Sequence, residues 1–292
     1  MSSGNLLEKV KQLRKITGVG YKDCKNAIDE TQGDIEKSVE LLRKKGIAKA
    51  SKRMSRVAAE GLICIYEQDN QFSMIEINSE TDFVAKNNQF VNFAEEISQL
   101  ALIKSGKMED ILNSTMTNKK NVKDNLVDLI SKIGEKITLR RSAFIGKDKS
   151  INFSYTHSSL KKNVGKLGVL LSIETTKPKN EILNLGKQLA MQVAAFSPLA
   201  IDKESLDQNI LQKEKEIITE ELKNIGKDTK IVEKIAIGKL NKFIADNTLL
   251  NQEWIMEPKK KVKDVLKEVA GKDKIEIKKF IRFKVGEGVQ IL

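Results

Sequence analysis

Apolar residues recur at Leu6, Val10 and Leu13, at Cys24, Ala27 and Ile28, and at Ile35, Val39 and Leu42. This spacing predicts three short helices over residues 1 to about 46. Gly18-Val19-Gly20 separates the first from the second, and Gly33-Asp34 supplies a turn and an N-cap for the third. Gly46 is expected as the stop of that third helix. A bundle this small has a thin core and suits a docking role. Lys49, Lys52, Arg53 and Arg56 follow as a basic linker or helix extension.

From Val57 the period changes from helical to alternating. Leu62, Cys64 and Tyr66, then Phe72 and Met74 with Glu76 next in the alternation, flank the polar hairpin turn Gln68-Asp69-Asn70-Gln71. Phe90, Phe93, Ala94, Ile97, Leu100 and Ala101 mark an amphipathic helix. Leu126, Leu129, Ile130 and Ile133 mark another, ending at Gly134 before a short strand from Ile137 to Arg141. The plan returns in the second half. Two strands, around Phe153–His157 and Gly168–Glu174, precede a helix through Leu185, Leu189, Val193 and Ala194. Between Asp202 and Leu250, two apolar stripes around Gly226-Lys227-Asp228 predict an antiparallel helical hairpin, which must cover its stripe on the parent domain or on a copy of itself. A return through Trp254-Ile255-Met256 leads to a final strand and turn over Phe280–Gly288. The fold class expected from this order is α+β.

Composition narrows the class. In 292 residues, 40% are hydrophobic, enough to build real cores, and no apolar run approaches a membrane span. The chain opens into an amphipathic helix without a signal peptide's apolar block, so the default compartment is cytoplasmic. Two cysteines, Cys24 and Cys64, and the single His157 argue against a disulfide framework or a structural zinc site, and no metal or cofactor is expected. Charge is uneven: residues 1–56 hold 14 basic and 7 acidic side chains, contributing +7 of the net +12. That field could attract RNA or an acidic protein surface. With 5% aromatic residues and no stacking pattern, solvated lysine faces account for most of it and no direct nucleic-acid role is expected. A Gly-rich phosphate loop and a nucleophile motif are both missing, so the expectation is not an enzyme.

The segment Ser79-Glu80-Thr81-Asp82-Phe83-Val84 sets a carboxylate beside a large ring at a strand exit. The plain alternative places Phe83 in its own core with Asp82 capping the next helix; the other reading leaves both free for a partner. Aligning Glu76–Thr81 on Leu171–Thr175 brings Thr176-Lys177-Pro178 after the second Glu-Thr. Asp82-Phe83 then has no counterpart, which favours the second reading.

Several further pieces occur in a familiar order. They are Leu13–Gly20 with Asp23-Cys24-Lys25, Gly33-Asp34-Ile35-Glu36, Ala58-Ala59-Glu60-Gly61, Thr81–Lys86 and Lys132-Ile133-Gly134-Glu135. Gly168-Val169-Leu170, Ala190–Ala195 and Phe280–Gly288 complete the set. From end to end the chain resembles bacterial elongation factor Ts, the guanine-nucleotide exchange factors of elongation factor Tu. The resemblance implies a ubiquitin-associated-like three-helix domain with a basic linker (1–56), a first core subdomain (57–140) and a related second one (141–292). A helical hairpin, inserted in the second at about 202–250, mediates dimer contacts in some members. It also implies that Thr81, Asp82, Phe83 and Val84 disturb the magnesium site of elongation factor Tu, bound with GDP or nucleotide-free. Arg14, Lys25, Ile133, Gly134 and His157 are implicated in gripping that partner, as are Tyr21 and Lys22, which stand where the family often has two methionines. The stretch between His157 and Gly168 is longer than the family's compact form, and the extra C-terminal helix of many members has no counterpart before Leu292.

Overall fold

The structure, a computed structural model, describes residues 3–17, 19–53, 55–146, 148–222 and 229–290. Three helices come first: α1 (Ser3–Thr17), α2 (Tyr21–Glu30) and α3 (Ile35–Arg53). Val10, Leu13, Cys24, Ala27, Ile28 and Leu42 form their small core. Asp34 caps α3, its Oδ1 accepting from Lys37 N–H at 3.0 Å. Gly46 is not the stop. The helix runs through it to Arg53, and a Cβ at Gly46 would stand 2.9 Å from Ser131 Oγ. The missing side chain therefore lets two helices close on one another, a packing role that sequence reads as a breaker. Gly18 and the side chains of Lys49 and Lys52 lie outside the described residues.

The hairpin β1 (Glu60–Gln68) and β2 (Gln71–Ser79) leads into a single turn, α4 (Asp82–Ala85), then α5 (Asn88–Ile103), α6 (Met108–Asn113) and α7 (Val122–Ile133). Asn87 and Asn121 accept the N–H groups of Gln89 and Asp124 and so cap α5 and α7. Next come β3 (Thr138–Ile145), β4 (Ser150–His157), β5 (Val164–Gly165), β6 (Leu167–Thr175) and α8 (Lys179–Phe196). The predicted helical hairpin follows as α9 (Gln208–Leu222) and α10 (Thr229–Asn247), its Gly226 turn lying outside the described residues. The chain closes with β7 (Glu253–Trp254), β8 (Glu257–Lys261), α11 (Val262–Ala270) and β9 (Ile275–Lys284). The fold is thus a mixture of helix and sheet, α+β as expected. Among the described residues no helix is long and apolar enough to cross a membrane.

Two larger antiparallel sheets, ordered β3-β2-β1-β5 and β4-β6-β9, lie face to face with helices outside. Leu62, Cys64, Ile75 and Ile77 pack outward against α5 and α7. Ile63, Ile65, Phe72 and Met74 pack inward against Leu170 and Phe283 of the second sheet. Both faces of the first hairpin are therefore buried, and Leu62 with Cys64 face the opposite way from Phe72 with Met74. The simple alternation expected of a half-exposed sheet does not apply. Gly168 allows the sheets to meet, since a Cβ there would come within 2.6 Å of Ile63 Cγ2. The third strand is also longer than the predicted Ile137–Arg141, and it runs across residue 140.

The two halves share a bulge. Pairing slips by one residue between Glu76 and Ile77 on β2, and between Ser172 and Ile173 on β6. Superposing these bulges shifts the alignment read from sequence by two residues and sets Pro178-Lys179 opposite Asp82-Phe83. The segment between His157 and Gly168 is not merely a longer loop: β5 within it joins the first sheet beside β1.

Candidate functional site

The β2 exit presents its residues in opposite directions. Thr81 is extended, at φ −123° and ψ 158°, and the next four residues make one helical turn. Val84 and Ala85 enter the core beneath α5, while Phe83 is 79% exposed. The ring is therefore not a core residue, and Asp82 lies in the first turn of α4 rather than capping it, Thr81 being the N-cap. Val84 anchors the turn from below; of the four residues expected to meet a partner, it is the one the fold consumes. Asp82 Oδ2 pairs with Lys86 Nζ at 2.9 Å. The hydrogen bond from Lys86 holds the Asp82 carboxyl below its usual range, with Lys86 and Lys166 charges assisting.

Thr81 does not use its hydroxyl to cap α4. Its Oγ donates to Glu135 Oε1 at 2.7 Å, and its N–H donates to Glu135 Oε2 at 3.0 Å. Glu80 answers in the opposite direction, its Oε1 accepting from Lys136 N–H at 2.6 Å and from Arg56. Two loops are thereby locked together, the β2 exit and the α7 exit. Ile133 and Gly134 end α7, where Gly134 adopts φ 92°, a left-handed cap that a side chain would strain. Structure thus joins Thr81–Val84 to Ile133–Gly134.

The other sequence candidates sit on other elements. Arg14 is in the last turn of α1, and Tyr21, Lys22 and Lys25 begin α2; all four are exposed. The small bundle carrying them rests on α7 through α3, with Arg53 Nη1 donating to Ile130 O at 2.9 Å and Arg43 beside Asp124. His157 is exposed at the end of β4, its Nδ1 3.0 Å from Tyr155 Oη. Its carbonyl accepts from Lys166 N–H, and Lys166 Nζ pairs with Glu60 at 2.6 Å.

Sequence reasoning singled out no carboxylate by its spacing, yet Glu76 is fully buried. Its Oε1 accepts from Arg140 Nη1 at 3.0 Å and Gly286 N–H at 2.9 Å, and its Oε2 from Arg141 Nε at 2.5 Å. Arg141 also lies over the Phe283 ring, 4.1 Å from its centroid. This clasp ties the first sheet to the chain beyond β9. Its partners Arg140 and Arg141 stand 64 and 65 residues further along the chain, so no local spacing marks Glu76 out. Glu135 was likewise visible only as part of a motif, without a task. Among the described residues no cluster of three or more His, Cys, Asp or Glu could hold a metal ion.

Comparisons with known proteins show which family the chain resembles. The family model described as Elongation factor TS matches residues 80–287. The chain is 41% identical over 284 residues to Elongation factor Ts of Methylorubrum extorquens (strain PA1), covering 96% of this chain and 92% of that protein. It is 40% identical over 287 residues to Elongation factor Ts of Maricaulis maris, and 42% over 286 residues to that of Bartonella henselae, with the same coverage.

Proposed function

Because the chain belongs to the elongation factor Ts family of translation elongation factors, we propose that it is the guanine-nucleotide exchange factor of elongation factor Tu in the cytoplasm. It binds the GDP form and disturbs the magnesium and phosphate end of the nucleotide site, so that GDP leaves and GTP can rebind. The observation that carries this reading is the Phe83 ring, held 79% exposed on a turn whose other side is sunk in the core. An apolar group so placed gains little from its own fold and much from a cavity in a partner. Beside it Asp82 brings a carboxylate, able to perturb an ion that is the dominant charge of its surroundings.

No covalent bond is made or broken in this reading. The factor prefers nucleotide-free partner, so by linkage it weakens GDP binding by the same factor by which GDP weakens its own. Arg14, Tyr21, Lys22, Lys25, Ile133, Gly134 and His157 supply grip, supported by the exposure of the first four and of His157. The three-helix module acts as a ubiquitin-associated-like docking domain, the two sheet-bearing halves as related subdomains, and α9–α10 as an insertion in the second. Exposed Ile217 and Ile237 on that hairpin suit contact with a second copy.

Release of a fluorescent GDP analogue from purified elongation factor Tu tests the reading. Acceleration by the full chain is expected; its absence would overturn the exchange function. Full acceleration by the Phe83→Ala variant would overturn the wedge alone.

A further inference from the structure

We propose that Glu135 is a positioning residue for exchange, aiming the Phe83 ring by gripping Thr81 with both carboxylate oxygens; this rests on the exchange reading above. A four-residue helical turn has no stability of its own. Its direction must come from its two ends. The rear end is fixed by Val84 and Ala85 in the core. The front end is fixed by Glu135, which takes the Thr81 N–H at 3.0 Å and the Thr81 hydroxyl at 2.7 Å. Ser79 Oγ adds a contact to Thr81 O at 2.9 Å, but it belongs to the same strand exit and cannot hold that exit against the rest of the molecule.

Hydrogen bonds to an ionised carboxylate are roughly twice as strong as neutral ones, and two from one residue fix both its position and its rotation. The grip is also reciprocal. Each loop gives a carboxylate and receives one, Glu135 to Thr81 and Glu80 to Lys136 N–H, while Lys136 Nζ donates to Arg56 O at 2.7 Å. Because Glu135 directly follows the left-handed cap at Gly134, the placement of α7 is passed to the ring. Glu135 touches neither nucleotide nor ion in this scheme; it acts through Thr81 and Phe83.

The test uses the full chain. At saturating factor, Glu135→Ala is expected to slow GDP release about tenfold, the loss of one strong hydrogen bond's worth of orientation, with little change in the half-saturating concentration. Glu135→Gln keeps an acceptor for the Thr81 N–H and should recover most of the rate. Combined with Phe83→Ala, Glu135→Ala should add little, since two residues acting as a unit are not additive. Hydrogen exchange in the free protein should quicken over residues 79–87 in Glu135→Ala. Wild-type acceleration by Glu135→Ala, an additive loss in the double variant, or unchanged hydrogen exchange would each overturn the proposal. If the unsubstituted chain fails to accelerate release, the exchange reading itself has failed, and the positioning role in exchange is overturned with it; hydrogen exchange then reports separately whether the latch exists.

Discussion

The two strand exits of this protein start from the same bulged ladder and end differently. After the Glu76/Ile77 bulge, β2 leaves through a loop latched to α7, makes one separate turn, and lifts a phenylalanine into solvent. After the Ser172/Ile173 bulge, β6 passes through Thr176-Lys177-Pro178 straight into the 18-residue α8. Lys177 and Thr176 there pair with Asp273, a closed and wholly polar arrangement. The bulges themselves differ in the same sense. At the first, Arg140 and Arg141 turn to a buried Glu76; at the second the buried residue is Ser172, and Lys278 instead pairs with Glu174 and Glu276 at the surface. One bulged strand therefore leads to an exposed, charged and apolar device and the other to a plain connection. The bulge does not by itself call for the ring.

The largest effect that can break this comparison is on stability. Glu76→Ala strands two arginines and the Gly286 N–H, and should cost about 3 kcal/mol in denaturant unfolding, the usual consequence of deleting one partner of a buried ion pair. Ser172→Ala at the matching bulge should stay within about 1 kcal/mol. Equal costs would show that the two bulges are energetically alike. Next, Phe83→Ala should slow exchange by about thirtyfold, as for a residue worth about 2 kcal/mol at an interface. Its unfolding free energy should move by less than about 0.5 kcal/mol because the ring is exposed; Lys179→Ala on the opposite exit should leave both quantities unchanged. Cys64, pushed up to about 12 mainly by desolvation, stays a thiol at neutral pH, so native protein should resist alkylation there until it unfolds. The smallest effect concerns pH. A carboxyl depressed in the folded state lends stability above its unfolded pKa and loses it only as pH falls through the lower folded value. Asp82 is such a group, so exchange should not vary with its titration between about pH 6 and 8. A step in that range removed by Asp82→Asn would contradict the Lys86 pairing.

Helices were the most legible part of the sequence because one buried stripe fixes both their extent and their face. Leu129, Ile130 and Gly134 defined the end of α7 in this way. Helix α11 also carries helical spacing, at Val262, Leu266 and Ala270, but a Lys-rich composition hid it. Sheets were less legible where a second sheet covers them, since burial on both faces removes the period of two that betrays a strand's orientation. For the site, Asp82 and Phe83 could be suspected from an apolar ring in a polar exit, whereas Glu135 and Glu76 could not. A carboxylate shows its task only through partners, and those partners lie 54 residues away for Thr81 and 64 for Arg140.

Strand β5 carries a consequence for biosynthesis. Val164 and Gly165 complete the first sheet by pairing with Cys64 and Ile63. The chain emerges from its N-terminus, so the outer margin of β1 is laid down about a hundred residues before the piece that covers it, and is open to any passing strand meanwhile. Nascent chains halted after β3 should therefore be sticky, and those halted after β6 much less so. The order of manufacture, rather than the finished energy, makes this short strand a guard.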